Sequence, residues 1–305
     1  LFSSLPPRCF NRATAGRIIP QTLTSPLAPF SGATAISLAT QSCVWLQIYC
    51  CRLIRDLLRW QLLESGALFF QAGLVSTSKG GVVFAGPPRS GKTTTALALV
   101  GSGNGIFVAD NDLCISIQAN GMICGMGWPR SICIRTNTIP VLSKILPELG
   151  NKYNSFSHPN NRRINSYENE YSHLLPTELA RMSHKPVLAE TAVSYFIFPE
   201  HSHSFNSAPK LFRLTGSQAA EKLTACWDFL AERKIGQRSC SAVIDKQIWA
   251  STCFNPFLVE AFSIPDRRKL LFDVHKLADI IPCFSLVQPL SHVSESSKML
   301  ISINV

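Results

Sequence analysis

The stretch "GGVVFAGPPRSGKTTTALALV", Gly80 to Val100, decides the fold. Its first part, "GVVFAG", is short, apolar and β-branched, as a buried strand should be. Its last part, "TTTALALV", reads as a helix. Between them Gly86-Pro87-Pro88-Arg89-Ser90-Gly91-Lys92-Thr93 matches the pattern G-x-x-x-x-G-K-[ST] in full. Each residue type in that pattern has a physical task. The glycines let the backbone turn tightly enough for successive N–H groups to converge on phosphate oxygens. The helix opening near Lys92 and continuing through Thr94 adds unsatisfied amides and the positive end of its dipole. Lys92 brings a point charge to the terminal phosphates, and the Thr93 hydroxyl is a magnesium ligand. A Gly- and Pro-rich turn alone would explain the composition, but not the strand before it and the helix after it. We therefore expect Gly86, Pro87, Pro88, Arg89, Ser90, Gly91, Lys92, Thr93 and Thr94 to line a phosphate-binding loop.

Acidic residues return quickly. The next strand-like run, "IFVA", leads directly into Asp110-Asn111-Asp112. Carboxylates ending a strand beside a phosphate loop can hold magnesium or take a proton from an attacking hydroxyl. An Asx-rich turn closing the strand is the plainer alternative. The expected catalytic set is Lys92, Asp110 and Asp112, with Thr93 and Asp112 as the metal pair.

Working outward, "ALFFQAGLVS" and "GVVFAG" flank a Gly-Gly turn and suggest an antiparallel pair. "LCISIQANGMICGMG" resembles a hairpin turning at Asn120-Gly121. Trp45 to Leu63 carries apolar residues at three- and four-residue steps, predicting an amphipathic helix with Arg52, Arg55 and Arg59 on its wetter side. Residues 151 to 173 lack aliphatic periodicity and predict a long exposed loop. "AVSYFIF" and "CFSLVQPL" read as strands, and "SQAAEKLTACWDFLAERK" as a helix. The expected layout is a loose segment over 1–42 and one domain over 43–305, with its core at 62–140 and an α/β C-terminal part at 185–290.

At 305 residues, 46% hydrophobic and 16% charged, the chain is globular in composition. The net charge of +10 points to anionic partners, but the basic residues are dispersed rather than clustered. No nucleic-acid-binding motif is present, so no nucleic-acid partner is expected. The 11 cysteines are odd in number and never spaced C-x-x-C, which argues for reduced thiols, a cytoplasmic setting and no zinc ribbon. No run reaches the roughly 18–20 uncharged apolar residues of a membrane span, so no membrane association is expected. The first 42 residues are acid-poor and rich in Arg, Ser and Thr, as transit peptides are. With Leu1 in place of Met, a truncated or mis-started reading frame is the expectation instead.

The segment "LLESGALFFQAGLVSTSKGGVVFAGPPRSGKTTTALALVGSGNGIFVADNDLCI", continuing into "GMGWPRSICIRTNTI", resembles the HPr kinase/phosphorylase superfamily, in particular its HPr-kinase-like relatives. The resemblance implies an α/β P-loop domain of the HPr kinase and phosphoenolpyruvate carboxykinase type, a mixed sheet with flanking helices. It also implies ATP and Mg2+ as cofactors and a hydroxyl-bearing acceptor that is a protein, peptide or small molecule. Homo-oligomers are common among such relatives. Asn111-Asp112 matches the family's Asn-Asp form, and sliding the alignment by one gives Asp110-Asn111. One departure stands out: Gln71 occupies the place of a family histidine, and glutamine can only hydrogen-bond where histidine could shuttle a proton. A magnesium-dependent kinase is the leading reading. A nucleotide-binding accessory protein without transfer chemistry is the second, and a nucleic-acid-dependent ATPase a third.

Other residues read more plainly. His201-Ser202-His203 predicts an exposed polar loop rather than a metal pair. Arg162-Arg163 predicts a solvated charge pair, and Trp227 and Trp249 predict core positions. Arg130, after Trp128-Pro129, has the reach to approach the phosphate site.

Overall fold

The computed structural model describes residues 54, 58–59, 61–63, 65–128, 130–152, 156–158, 161, 170–202, 207–227 and 267–303. The chain divides into two compact units, Leu1–Ser65 with Arg233–Ile264, and Gly66–Glu232 with Pro265–Val305. In the first unit the described residues 54, 58–59 and 61–63 are helical, as expected over Trp45 to Leu63, but the expected faces are not kept: Arg59 is buried, whereas Ile54 and Leu58 are exposed. Residues 1–42, Arg52, Arg55, Arg162, Arg163, His203 and Trp249 lie outside the described residues.

The second unit is a mixed sheet with helices against it. Its strands are β1 (Leu68–Phe70), β2 (Ala72–Thr77), β3 (Gly80–Ala85), β4 (Ile106–Ala109), β5 (Leu113–Ile117), β6 (Ile123–Gly127), β7 (Ile132–Arg135), β8 (Tyr171–Leu174), β9 (Glu190–His201), β10 (Lys210–Arg213) and β11 (Cys283–Gln288). The helices are α1 (Lys92–Gly101), α2 (Ile139–Leu142), α3 (Pro147–Lys152), α4 (Pro176–Ser183), α5 (Gly216–Cys226), α6 (Arg267–Ile280) and α7 (Val293–Ser302).

β9 organises the sheet. Its first residues pair antiparallel with β6, its middle runs parallel to β3, and its end runs parallel to β11. Beyond β3 lie β2 and then β4, each step antiparallel, so β4 regains the direction of β3. β10 closes the far edge, antiparallel to β11. From β6 a second arm leads through β5 to β1. β7 and β8 form a separate two-stranded pair.

Four strands therefore point the same way: β4, β3, β9 and β11. Their C-terminal ends share one edge of the sheet, the place where α/β folds of this kind hold ligands. The core beneath is aliphatic and aromatic, with Leu74, Val83, Phe84, Leu97, Leu99, Phe196 and Ile197 all buried. α1 packs on β2 and β3 and against α7. It is buried nearly all round, which explains its run of Ala, Leu, Val and Thr in place of an amphipathic pattern.

Several expected elements need adjustment. The run "ALFFQAGLVS" is two strands, because the chain breaks at Gln71 and sends β1 to β5 but β2 to β3. The expected exposed loop over 151–173 begins inside α3 and ends in β8, whose backbone ladder with β7 supplies order that the polar side chains do not advertise. The expected helix from Ser217 onward stops at Cys226, where Trp227 turns extended and bridges Phe70. Asn120-Gly121 does turn the β5–β6 hairpin, with Gly121 at φ 81°.

Candidate functional site: the loop between β3 and α1

β3 ends at Ala85, and the chain then crosses the sheet edge through Gly86–Gly91 to open α1. Three residues of this loop lie in left-handed backbone: Gly86 at φ 151°, Arg89 at φ 70° and Gly91 at φ 103°. A side chain at Gly86 would meet the Ser90 hydroxyl at 2.7 Å, so only glycine fits there without a shift. Pro87, Pro88 and Arg89 are exposed, whereas Ser90, Lys92 and Thr94 are buried. Gly91 caps α1 with no side chain bonded to the helix amides. The first amides of a helix lack partners within the helix, and no side chain caps those of α1.

The Lys92 ammonium folds back and donates to the carbonyls of Gly86 at 2.9 Å and Pro87 at 2.8 Å. A buried ammonium held on neutral oxygens is poised for a stronger, anionic partner. Ser90 Oγ is buried with no hydrogen-bond partner in a loop otherwise rich in donors.

On one side of the loop lies β4. The Thr93 hydroxyl donates to Asp110 Oδ1 at 2.8 Å, and Asn111 Nδ2 donates to Asp110 Oδ2 at 2.8 Å. Asn111 itself sits at φ 64°, a conformation that Asn tolerates better than most residues. Burial pushes the Asp110 carboxyl above its ordinary range, against the lowering effect of Thr93, Arg130, the Cys133 amide and Lys92. A buried carboxylate ringed by donors fits the needs of a hard cation, which takes one or two carboxylates and keeps its other positions for phosphate and water.

Asp112 is placed differently. Its Oδ2 receives Arg130 at 2.5 Å, an ion pair in which the carboxylate is 7% exposed and the guanidinium 42%. Burial draws the Arg130 guanidinium down, but Asp112 and Asp110 together hold it above its usual value. Sequence reading paired Thr93 with Asp112 as metal ligands; the structure joins Thr93 to Asp110 and gives Asp112 to Arg130. The Arg130–Asp112 pairing depends on the β5–β6 hairpin returning the chain to the end of β4, a contact that spacing alone does not reveal.

Gln71 lies next to the Ala72–Ala85 pair and so across from Gly86. Its amide N–H donates to the Cys226 carbonyl at 3.0 Å, which ties the end of α5 to the same edge. Burial raises the Cys226 thiol to about 11, and the Cys133 thiol likewise to about 11, so neither is a thiolate nucleophile near neutrality.

On the other side of the loop lie β9 and β11. His201 is the last residue of β9 rather than part of a loop, because its backbone pairs with Gln288. Its imidazole stands so that a side chain on Gly91 would be 3.2 Å from Cε1 and 3.3 Å from Nε2. Gln288 is wholly buried and donates to Thr95 Oγ1 at 2.6 Å, and Thr95 Oγ1 donates to the Gly91 carbonyl at 2.9 Å. These residues escaped sequence reading because nothing local links positions 201 and 288 to position 91.

No family model matches the chain, and no curated protein does so at the level of sequence. Among solved structures, one that it resembles is the Hpr(Ser) kinase/phosphatase from Coxiella burnetii. The two share 11% identity over 76% of this chain and 93% of that one, with a TM-score of 0.33. So loose an overlap transfers no residue roles. Among the described residues no group of three or more His, Cys, Asp and Glu side chains is arranged to hold a metal by itself. No helix among them is long and apolar enough to cross a membrane.

Proposed function

We propose that the chain binds ATP with magnesium in the Gly86–Thr94 loop and transfers the terminal phosphoryl group to a hydroxyl on a protein, peptide or small molecule. The observation that carries this reading is the Thr93–Asp110 hydrogen bond. It joins the first turn of α1 to the end of β4, which sets a hydroxyl and a carboxylate side by side next to the start of that helix. The resemblance of "GPPRSGKT" and "DND" to HPr-kinase-like proteins supports the same reading.

Each side chain then has a task. The loop amides and Lys92 take the phosphate oxygens, with Lys92 leaving the carbonyls of Gly86 and Pro87. Thr93 and Asp110 are the residues that would hold magnesium, which when bound neutralises charge on the phosphate chain. Asp112 is the carboxylate left to orient the acceptor hydroxyl and take its proton. Its pairing with Arg130 weakens it as a base, but phosphoryl transfer through a loose transition state demands little from the base. Arg130, part-exposed at the mouth of the site, supplies positive charge where the transferred group carries negative charge.

Gln71 favours a second reading, in which the chain binds nucleotide without transferring phosphate. Incubation with γ-labelled ATP and magnesium separates the two. Label transferred to an acceptor or to water with time, and lost in Lys92→Ala and Asp110→Ala, supports the kinase. Saturable binding without turnover across a broad acceptor panel supports the binding protein. Absence of nucleotide binding removes both.

A further inference from the structure

The proposed site has a second wall that the kinase reading leaves without a task. Resting on that reading, we infer that His201 is a phosphate ligand, donating an imidazole N–H to oxygens of the nucleotide's phosphate chain on the side of the loop away from Asp110. The sheet order sets this up. β3 lies between β2 and β9, so the loop that leaves it is flanked by the β4–β2 arm on one side and by β9 and β11 on the other. The first flank supplies Asp110 and Asp112. The second ends in His201 and Gln288, which face each other across the β9–β11 ladder.

Three observations direct His201 to the phosphates. First, Gly91 is the residue that opens α1, and its missing side chain leaves the imidazole within 3.2–3.3 Å of where a Cβ would stand. A ring so near Gly91 lies beside the amides that begin the helix, where an anion is favoured. Second, the wall is fixed rather than loose. Gln288, wholly buried, is tied through Thr95 to the Gly91 carbonyl, and the Ser202 amide donates to the Gln288 carbonyl at 2.9 Å, which holds the strand end that bears His201. Third, the loop contains a donor still in want of a partner: Ser90 Oγ is buried, unbonded and beside Gly86. A phosphate chain entering the loop would give Ser90 and the helix amides their acceptor and would pass the imidazole on the way.

Pyrophosphate distinguishes a phosphate ligand from a base-stacking residue, because it has phosphates and no base. Calorimetric titration of the full chain with magnesium pyrophosphate, Mg-ADP and adenosine gives the reference. In His201→Ala we expect affinity for pyrophosphate and for ADP to fall together, by about five- to twentyfold, the loss of one charge-assisted hydrogen bond. His201→Gln, which keeps an N–H donor on a side chain of similar length, should recover part of the loss for both. A fall for ADP with pyrophosphate unchanged would overturn the assignment in favour of a contact with the base or ribose. Unchanged affinity for both would overturn it outright. Lys92→Ala is the control for the underlying reading: if the wild type binds neither ligand, the nucleotide site itself fails. If the wild type binds, Lys92→Ala does not and His201→Ala is indifferent, only the role of His201 falls.

Discussion

Asp110 and Asp112 are two residues apart in one short turn, yet their surroundings give them opposite electrostatic characters. Asp112 has a full positive charge on its carboxylate, whereas Asp110 has mostly neutral donors around it and the cations further off. Burial therefore raises Asp110 above its ordinary 3.8, so ionising it costs more in the folded chain than in the unfolded one. The linkage has a definite sign. Below pH 3.8 the group is protonated whether folded or not and costs nothing. As pH climbs from there through the raised native value, the folded chain must ionise a buried acid and loses stability. Asp110→Asn cannot ionise, so it should gain on the wild type as pH rises from 4 to 7, by on the order of 1 kcal/mol for each unit by which the native value is raised. Urea unfolding of both chains without nucleotide, at pH 4 and pH 7, measures this; a constant difference between them would refute it. The same variant should lose the stabilisation that Mg-ATP gives, since the carboxylate's cost is tolerated for the sake of the cation. Removing the partner of Asp112 has the reverse effect. Arg130→Met leaves a 7% exposed carboxylate without its cation and should destabilise by about 1–3 kcal/mol, the half-exposed guanidinium keeping the loss below that of a fully buried pair. Adding Asp112→Asn should restore most of it, as read by the same unfolding curves.

At the scale of elements, α1 is held by a strut that begins 193 positions further along the chain, where Gln288 bonds Thr95 and Thr95 bonds Gly91. Both side chains are fully buried, so deleting one hydroxyl leaves an amide stranded. Thr95→Val should cost about 1–3 kcal/mol, and Gln288→Leu a similar amount, but the two together less than their sum, because the double variant strands fewer polar groups. A double-mutant cycle by thermal or urea unfolding tests this, and simple additivity would show that the strut is not a coupled unit. What local sequence could disclose follows the same division. The β2–β3 pair, α1, β4 and the β5–β6 hairpin were legible because their apolar periods, Gly turns and short connections are local properties. The loop residues were legible for the same reason. Gln71 was not legible as a break, since one polar residue inside an apolar run still permits a single strand. α6 carried a readable pattern, with Leu270, Val274 and Leu277 buried on one face. α7 hid its inner face by placing serine there: Ser296 and Ser297 are fully buried and bond back to the carbonyls of His292 and Ser294. The division of the two aspartates between Thr93 and Arg130 turns on which way each side chain points at the end of β4, which spacing does not show, and the arrival of His201 at Gly91 depends on strands meeting across a long interval of chain.

The whole molecule follows from that last point, because β9 is where the distant parts meet. Residues 81–84 pair with 193–197, and residues 196–201 pair with 283–288, so the edge that carries the Gly86–Gly91 loop exists only after these parallel pairings have closed. Parallel pairing over such separations is costly in loop entropy and slow to form. Once formed it is protected on both faces, with Tyr195 through Phe198 and Val82 through Phe84 all buried. The β7–β8 pair stands apart from the sheet as two short strands, a unit with little stability of its own. Opening β9 should thus amount to opening the domain, whereas β7–β8 can open while the sheet persists. Native-state hydrogen exchange should place the amides of Val83, Phe84, Ile197 and Phe198 among the slowest, with protection near that of global unfolding. Those of Cys133 and Ser172 should exchange at least about tenfold faster, a gap of roughly 1.4 kcal/mol in opening free energy. Mg-ATP should then slow exchange in the Gly86–Lys92 loop far more than in β9, whose amides are already paired. Equal protection across the two strand pairs, or faster exchange in β9, would mean that the central strand is not what keeps the edge assembled, and the loop, Asp110 and His201 would lack the common support that brings them together.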